Sequence, residues 1–351
     1  MPAAVYRPSP PSFRPIPKSL SFNPTKILNE SSPTPLHSSP TLKTLTLTLT
    51  LNQSKPTTIT ATASHSSSLF PPPSLKSRLR NGETLYGIFL CSFSPTLTEI
   101  AGLAGYDFAV IDMEHGFGGI KESLDCLRAL DATSTPAILR LPERSGTLAK
   151  KALDLGPEGL MFPMIEGKEE AEKAVEYCRY PPNGVRGAAH PIVRASGYGI
   201  DAEYVESVEE ELLIMCQVES LKGMERIEEI AGVDGVDCIQ MGPLDLSASM
   251  GYLWDPGNKK VRDMMRLSEE GVKKSRGKGG GAYLAGFALP FDTPPDLKAR
   301  GYQMVSGAVD VGLFRAAAVE DVNRFRMSLE EESSDDDGAE GKKDDEEKYW
   351  S

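Results

Sequence analysis

From residue 76 to residue 329 the chain alternates short apolar runs with stretches of helical periodicity, and this alternation recurs eight times. Such a pattern belongs to β/α units around a parallel sheet, because each strand is buried on both faces and reads as continuously apolar. The runs predict strands at Tyr86–Cys91, Phe108–Ile111, Ala137–Leu141, Gly159–Phe162, Leu213–Val218, Cys238–Met241, Tyr283–Phe287 and Met304–Gly307. Plausible caps open the helices between them, as at Ser94-Pro95, and Glu169 to Arg179 carries Glu and Lys at i, i+4 spacing. Eight strands in about 250 residues suit an α/β fold of the closed (β/α)8 TIM-barrel type. An open, doubly wound sheet would place a GxGxxG turn after its first strand, and none is there. The glycine run at 277–281 precedes a strand, which makes it a surface loop.

The flanks differ sharply in composition. Residues 1–75 are rich in Ser, Thr, Pro and Leu and hold one acid, Glu30, against Arg7, Arg14, Lys18, Lys26, Lys43 and Lys55. This resembles a disordered transit peptide for the chloroplast, with the mitochondrion as the alternative. The Leu-Thr alternation over 45–51 has strand-like spacing, but nothing nearby covers its apolar face, so no strand is expected. Residues 330–351 are dominated by Glu and Asp and form an acidic tail with too few apolar groups to offset its ordering entropy. Much of the net charge of −12 lies in that tail. The middle has no basic stripe with interleaved aromatics, which argues against nucleic acid as a partner. No apolar run is long enough to span a membrane. The five cysteines are scattered without CxxC spacing, so neither a disulfide framework nor a zinc site is expected.

Several strand candidates end on an ionisable or polar side chain: Ala-Val-Ile-Asp112-Met-Glu114-His115, Ala-Ile-Leu-Arg140, Met-Cys-Gln217-Val-Glu219 and Gly242-Pro-Leu-Asp245. A parallel barrel gathers such residues at one mouth. Glu219 and Asp245 follow successive strands. They are either separate surface acids or two carboxylates held together by a cation, and Mg²⁺ or Mn²⁺ is the natural choice for the second case. His115 follows Asp112 by three residues, a spacing at which the carboxylate can orient the ring for proton transfer. Arg140 is either a snorkelling edge arginine or a cation for a carboxylate or developing oxyanion. Asp154 sits on a helix, either as ordinary surface or paired with Arg140. No lysine ends a strand, so enolate chemistry stabilised by a metal is favoured over a Schiff base.

Together these segments resemble the HpcH/HpaI aldolase/citrate lyase family of metal-dependent pyruvate aldolases. The likeness also takes in Leu153-Asp154-Leu-Gly156, Phe162-Pro163-Met164, the segment Arg179 to Gly187, Arg194-Ala-Ser196 and Gly312-Leu-Phe-Arg315. The resemblance implies a barrel of the phosphoenolpyruvate/pyruvate-binding type that cleaves or forms 4-hydroxy-2-oxo acids from pyruvate and an aldehyde. It assigns Glu219 and Asp245 to the metal and Leu244 and Asp245 backbone N–H groups to the substrate carboxylate. Gln217 falls near the metal, Arg140 stabilises the enolate, and His115 moves the proton with Asp112 and Asp154 orienting. It further implies a homo-oligomer, a hexamer built through swapped helices around 312–326. Two other readings use the same barrel: an acyl-CoA lyase of the malyl- or citramalyl-CoA type, and a non-catalytic plastid binding protein.

Overall fold

The computed structural model describes residues 45–47, 59–61, 73–277 and 280–335. Leu45–Leu47 pairs antiparallel with Ile59–Ala61. The sequence reading expected no strand at 45–51, and this corrects it for three residues. The physical reason is a second segment with a β-branched residue, which supplies the backbone ladder that the first segment lacks by itself. Residues 1–44, 48–58 and 62–72 of the expected leader lie outside the described residues, as does the acidic tail beyond Asp335.

Eight strands close into a barrel: β1 (Leu85–Leu90), β2 (Phe108–Asp112), β3 (Ala137–Arg140), β4 (Gly159–Phe162), β5 (Leu213–Val218), β6 (Cys238–Met241), β7 (Tyr283–Phe287) and β8 (Tyr302–Val309). Each pairs in parallel with its neighbour in sequence, and β8 closes against β1. The expected strands differ from these mainly at their ends. β8 is longer than its apolar run suggests, because it pairs on both sides and absorbs an irregularity between Ser306 and Ala308. The helix expected at Glu169–Arg179 runs instead over Lys168–Cys178, since Arg179 turns to extended backbone ahead of Tyr180-Pro181.

The pleat decides what faces inward. Phe108 and Val110 of β2, Ile138 of β3, Leu213 and Met215 of β5, and Cys238 of β6 form one buried cluster inside the barrel. With a side-chain period of two, the next inward positions are Asp112, Arg140, Gln217 and Gln240. The barrel is therefore apolar below and polar at its C-terminal mouth. Its other end is plugged by the helix Leu75–Arg80, whose Leu75 and Leu79 are buried in the same cluster. Ser74 caps that helix by accepting from Ser77 N–H, so the boundary expected at 75/76 falls inside it.

After β8 the chain enters the helix Asp310–Asp335. The helix runs past the tail boundary expected at 330, as its run of glutamates, good helix formers, allows. Leu313, Phe314, Val319, Val322, Phe325 and Met327 on it are exposed. All five cysteines are free and buried. Among the described residues no helix is long and apolar enough to cross a membrane.

Candidate active site

The register of β2 and β3 sets Asp112 beside Arg140. Arg140 Nε donates to Asp112 Oδ1 at 2.8 Å and Nη2 donates to Oδ2 at 2.5 Å, a bidentate fork. Arg140 Nη1 donates to Gln217 Oε1 at 3.2 Å, and Gln217 Nε2 donates to Glu219 Oε2. Glu219 Oε1 accepts the Met164 N–H at 2.8 Å. One chain of hydrogen bonds thus links β2, β3 and β5 across the mouth, and all four side chains in it are buried. Arg140 is therefore no edge arginine: its guanidinium also lies 5.2 Å from the Phe89 ring centroid.

Charge in this layer is unbalanced. Glu114 Oε2 lies 3.0 Å from Arg140 Nη1 yet is buried without a hydrogen bond. Burial pushes the Asp112 carboxyl up, but Arg140 and the His115 and Glu114 N–H groups outweigh this and hold it below the usual range. Glu114 goes the other way: burial raises it, Arg140 opposes, and the charges of Asp112 and Asp245 add to the rise. Glu219 is pushed up to about 7, chiefly by burial, with Glu114 and Asp245 adding to it against the Met164 and Gln217 hydrogen bonds. Four carboxylates thus act on one another around one guanidinium.

Gly242, which follows β6, lets Glu219 come close. A Cβ on Gly242 would lie 2.4 Å from Glu219 Cβ and 2.8 Å from Oε2. Directly after it the helix Pro243–Ser249 begins, bringing Leu244 and Asp245 to the mouth in its first turn, where amides lack intrahelical partners. The mouth encloses a cavity of about 250 Å³ lined by Asp112, His115, Arg140, Gln217, Gln240, Asp245 and apolar side chains. Among the described residues no three His, Cys, Asp or Glu side chains close into a metal cage. Two carboxylates and an excess of negative charge do fit Mg²⁺ or Mn²⁺, which draws much of its shell from water and ligand.

Residues 85–317 match the model of the HpcH/HpaI aldolase/citrate lyase family. The chain belongs to this family. A hydroxypyruvate/pyruvate aldolase of Paraburkholderia phytofirmans is 35% identical over 250 residues, covering 70% of this chain and 94% of its own. The 2-keto-3-deoxy-L-rhamnonate aldolase of Escherichia coli K12 is 34% identical over 252 residues, covering 72% and 92%. The crystal structure of a family member from Burkholderia cenocepacia J2315 superposes with a TM-score of 0.67 at 34% identity, covering 72% of this chain and 98% of that one. The protein is an aldolase, a carbon–carbon lyase.

Within the aldolase two expected contacts differ from those the structure shows. Asp112 was expected to orient the His115 ring. Its Oδ1 instead accepts the backbone N–H groups of Glu114 at 3.0 Å and His115 at 3.3 Å. The chain turns immediately after β2, so amides wrap the carboxylate and the ring is left on the rim, its side chain 63% exposed. Its Nε2 is 3.9 Å from Glu114 Oε2, too far for a hydrogen bond. Asp154 was expected to orient neighbours at the site or to pair with Arg140. It caps the helix Gly146–Leu153 ahead of β4, at the opposite end of the strands, and lies 3.6 Å from Arg186 Nη2. Sequence reasoning missed Glu114 as a member of the charge cluster and Gln240 as an inward group. Counting every second residue forward from Cys238 would have found Gln240. Cys91 was also missed; it lines the mouth and donates to Asp112 Oδ2 at 3.4 Å, and burial first, then Asp112, pushes its thiol up to about 12.

Proposed function

We propose that this aldolase cleaves and forms 4-hydroxy-2-oxo acids through a pyruvate-type enolate, with a divalent ion held by Glu219 and Asp245. The observation that carries the reading is the charge of the mouth: Asp112 and Asp245 line it, Glu114 and Glu219 lie within their electrostatic reach, and among the described residues Arg140 is the only arginine or lysine in the lining. The relatives named for hydroxypyruvate/pyruvate and for 2-keto-3-deoxy-L-rhamnonate support a 2-oxo acid as substrate. The ion, when bound, supplies Lewis-acid withdrawal of charge from the 2-oxo group.

The chain's own residues do the rest. Arg140, clamped by Asp112 and Gln217, presents fixed positive charge to the enolate oxygen and costs no reorganisation as charge develops. Leu244 and Asp245 offer amide N–H groups in the opening turn of their helix to the substrate carboxylate. His115, exposed on the rim, takes the 4-hydroxyl proton. The C3–C4 bond then breaks, the aldehyde leaves, and the electron pair passes to the enolate, which takes a proton at C3 to become pyruvate. Gly242 keeps the space that Glu219 needs.

Incubating the whole protein with 4-hydroxy-2-oxo acids and Mg²⁺ or Mn²⁺ is expected to release pyruvate. EDTA should cut the rate by about a hundredfold or more, because several kcal/mol of charge stabilisation are lost, and the added ion should restore it. Turnover that persists in EDTA overturns the metal assignment.

The exposed Leu313, Phe314, Val319, Val322 and Phe325 of the C-terminal helix support a homo-oligomer in which a second copy covers them. Sedimentation of the full chain is expected to report an assembly, a hexamer by family resemblance. Phe314→Asp combined with Phe325→Asp should dissociate it; a monomeric wild-type protein at micromolar concentration rules the assembly out.

A further inference from the structure

We propose that Asp310, the first residue of the C-terminal helix, is a positioning residue for the aldolase reaction: its carboxylate holds the segment after β1, and through it the turn that carries His115. The inference rests on the aldolase reading above and adds to it a residue that acts through others. β8 runs beside β1 as far as Val309 opposite Phe89, which brings Asp310 to the residues that follow β1. There its buried carboxylate accepts the Cys91 N–H at 2.9 Å on Oδ1 and the Ser92 N–H at 3.1 Å on Oδ2. Oδ2 also accepts the Ser92 hydroxyl, and Oδ1 accepts the Val311 N–H at 2.7 Å. An acid at a helix start ordinarily serves the amides of its own first turn. Three of the four donors here belong instead to Cys91 and Ser92.

Cys91 passes the hold on to the catalytic turn at both of its ends. Its thiol donates to Asp112 Oδ2 at 3.4 Å, and its carbonyl accepts the Phe117 N–H at 3.1 Å. Between those two contacts lie Glu114 and His115. Gly116 closes the turn by donating its N–H to Asp112 O at 3.1 Å. A Cβ on Gly116 would lie 2.3 Å from Asp112 O, 2.5 Å from the Phe93 ring and 2.9 Å from Cys91 O, so the turn seats directly on the 91–93 segment. Asp112 in turn clamps Arg140. Any shift of Cys91 therefore moves the base on the rim relative to the cation that receives the enolate charge. Asp310 itself sits behind this layer, so its effect on the reaction is through placement.

The test is Asp310→Asn in the full-length protein. Asparagine has one acceptor oxygen, so either the Cys91 or the Ser92 amide then faces an NH₂ group. Pyruvate release is followed with Mg²⁺ or Mn²⁺ on the 4-hydroxy-2-oxo acid that wild type cleaves fastest, below the melting temperature of each variant. The expected result is a kcat at least about tenfold lower, since a misplacement of about 1 Å can cost about a hundredfold. KM, and Mn²⁺ binding read by electron paramagnetic resonance, should stay within about threefold, because Glu219 and Asp245 follow other strands. Asp292→Asn is the control for general softening. The Asp292 carboxylate accepts from Arg300 Nη1 at 2.7 Å and Nη2 at 2.6 Å, and Arg300 Nε donates to buried Glu269 Oε2 at 3.1 Å. That clamp fastens the turn 289–292 by a route that leaves the 112–117 turn aside, so its loss should lower the melting temperature and spare kcat. Where Asp310→Asn does not fold, Ser92→Ala removes one hydroxyl arm and should still lower kcat with KM unchanged. A smaller fall in folded Asp310→Asn, an unchanged kcat in Ser92→Ala, or an equal fall in Asp292→Asn overturns the assignment and leaves the aldolase reading standing. Absence of pyruvate release by the wild type overturns both.

Discussion

Replacing Arg140 with methionine is expected to cost the enzyme both its rate and a large part of its stability. The guanidinium is the buried cation that binds Asp112 through two hydrogen bonds and holds Gln217 in line with Glu219. Removing it leaves Asp112 buried and unpaired, and breaking a buried pair from one side typically costs roughly 3–5 kcal/mol. Losing a preorganised group that stabilises developing oxyanion charge costs about 10²–10³ in kcat. The two effects separate in a double variant. Asp112→Asn with Arg140→Met removes the stranded charge, so denaturant melts should recover most of the stability while pyruvate release stays low. Equal recovery of activity would mean that Arg140 serves the fold and not the reaction, and a single variant within tenfold of wild type would say the same.

The second large effect runs in the opposite direction for stability. Glu219→Gln is expected to abolish the response to metal and yet to stabilise the metal-free protein above neutral pH. Glu219 titrates at about 7 in the folded protein against an ordinary 4.5, so the folded state holds its proton more tightly than the unfolded chain. A raised carboxyl makes stability fall as pH climbs from 4.5 through 7, and the full penalty is present above that. That difference corresponds to about 3 kcal/mol. Glutamine keeps the acceptor for Met164 N–H, gives up the hydrogen bond from Gln217 Nε2 and carries no charge, so most of the penalty goes. In EDTA the melting temperature of the variant should exceed that of wild type at pH 8, and the gap should shrink towards pH 5. Added Mg²⁺ or Mn²⁺ should close the gap at pH 8 by stabilising wild type alone. A variant less stable than wild type at pH 8 without metal would show that the buried carboxylate is compensated in some other way.

How legible these residues were in the sequence depended on how local their physics is. Strands β2 to β7 end within a residue of the apolar runs that predicted them, because a strand buried on both faces must be apolar and its flanking turns must not. Arg140, Gln217 and Asp112 stood out for the same reason: each is a polar residue at the end of such a run. The contacts that differ share a cause too. His115 and Asp112 are three residues apart, close enough for ring and carboxylate to meet, but the turn after β2 gave the carboxylate to backbone amides. Asp154 was drawn to the site by its motif, whereas its chain position ahead of β4 places it at the far end of the strands, near Arg186. What fastens the turn 289–292 is not legible in the segment itself, because Arg300 lies beyond an intervening helix and Glu269 lies in the helix before β7.

The chain by itself determines eight strands and, through the period of two, which residues of each strand point inward, since both follow from local pleat and local burial. It therefore determines that the polar ends of β2, β3, β5 and β6 face a common axis once the sheet closes. Which of those ends touch was decided only by the tertiary structure, because hydrogen bonds between strands depend on register and burial that no single segment contains. The register placed Asp112 against Arg140. Gly242 let Glu219 approach, burial raised that carboxyl towards neutrality, and the closed ring of strands collected four acids around one arginine.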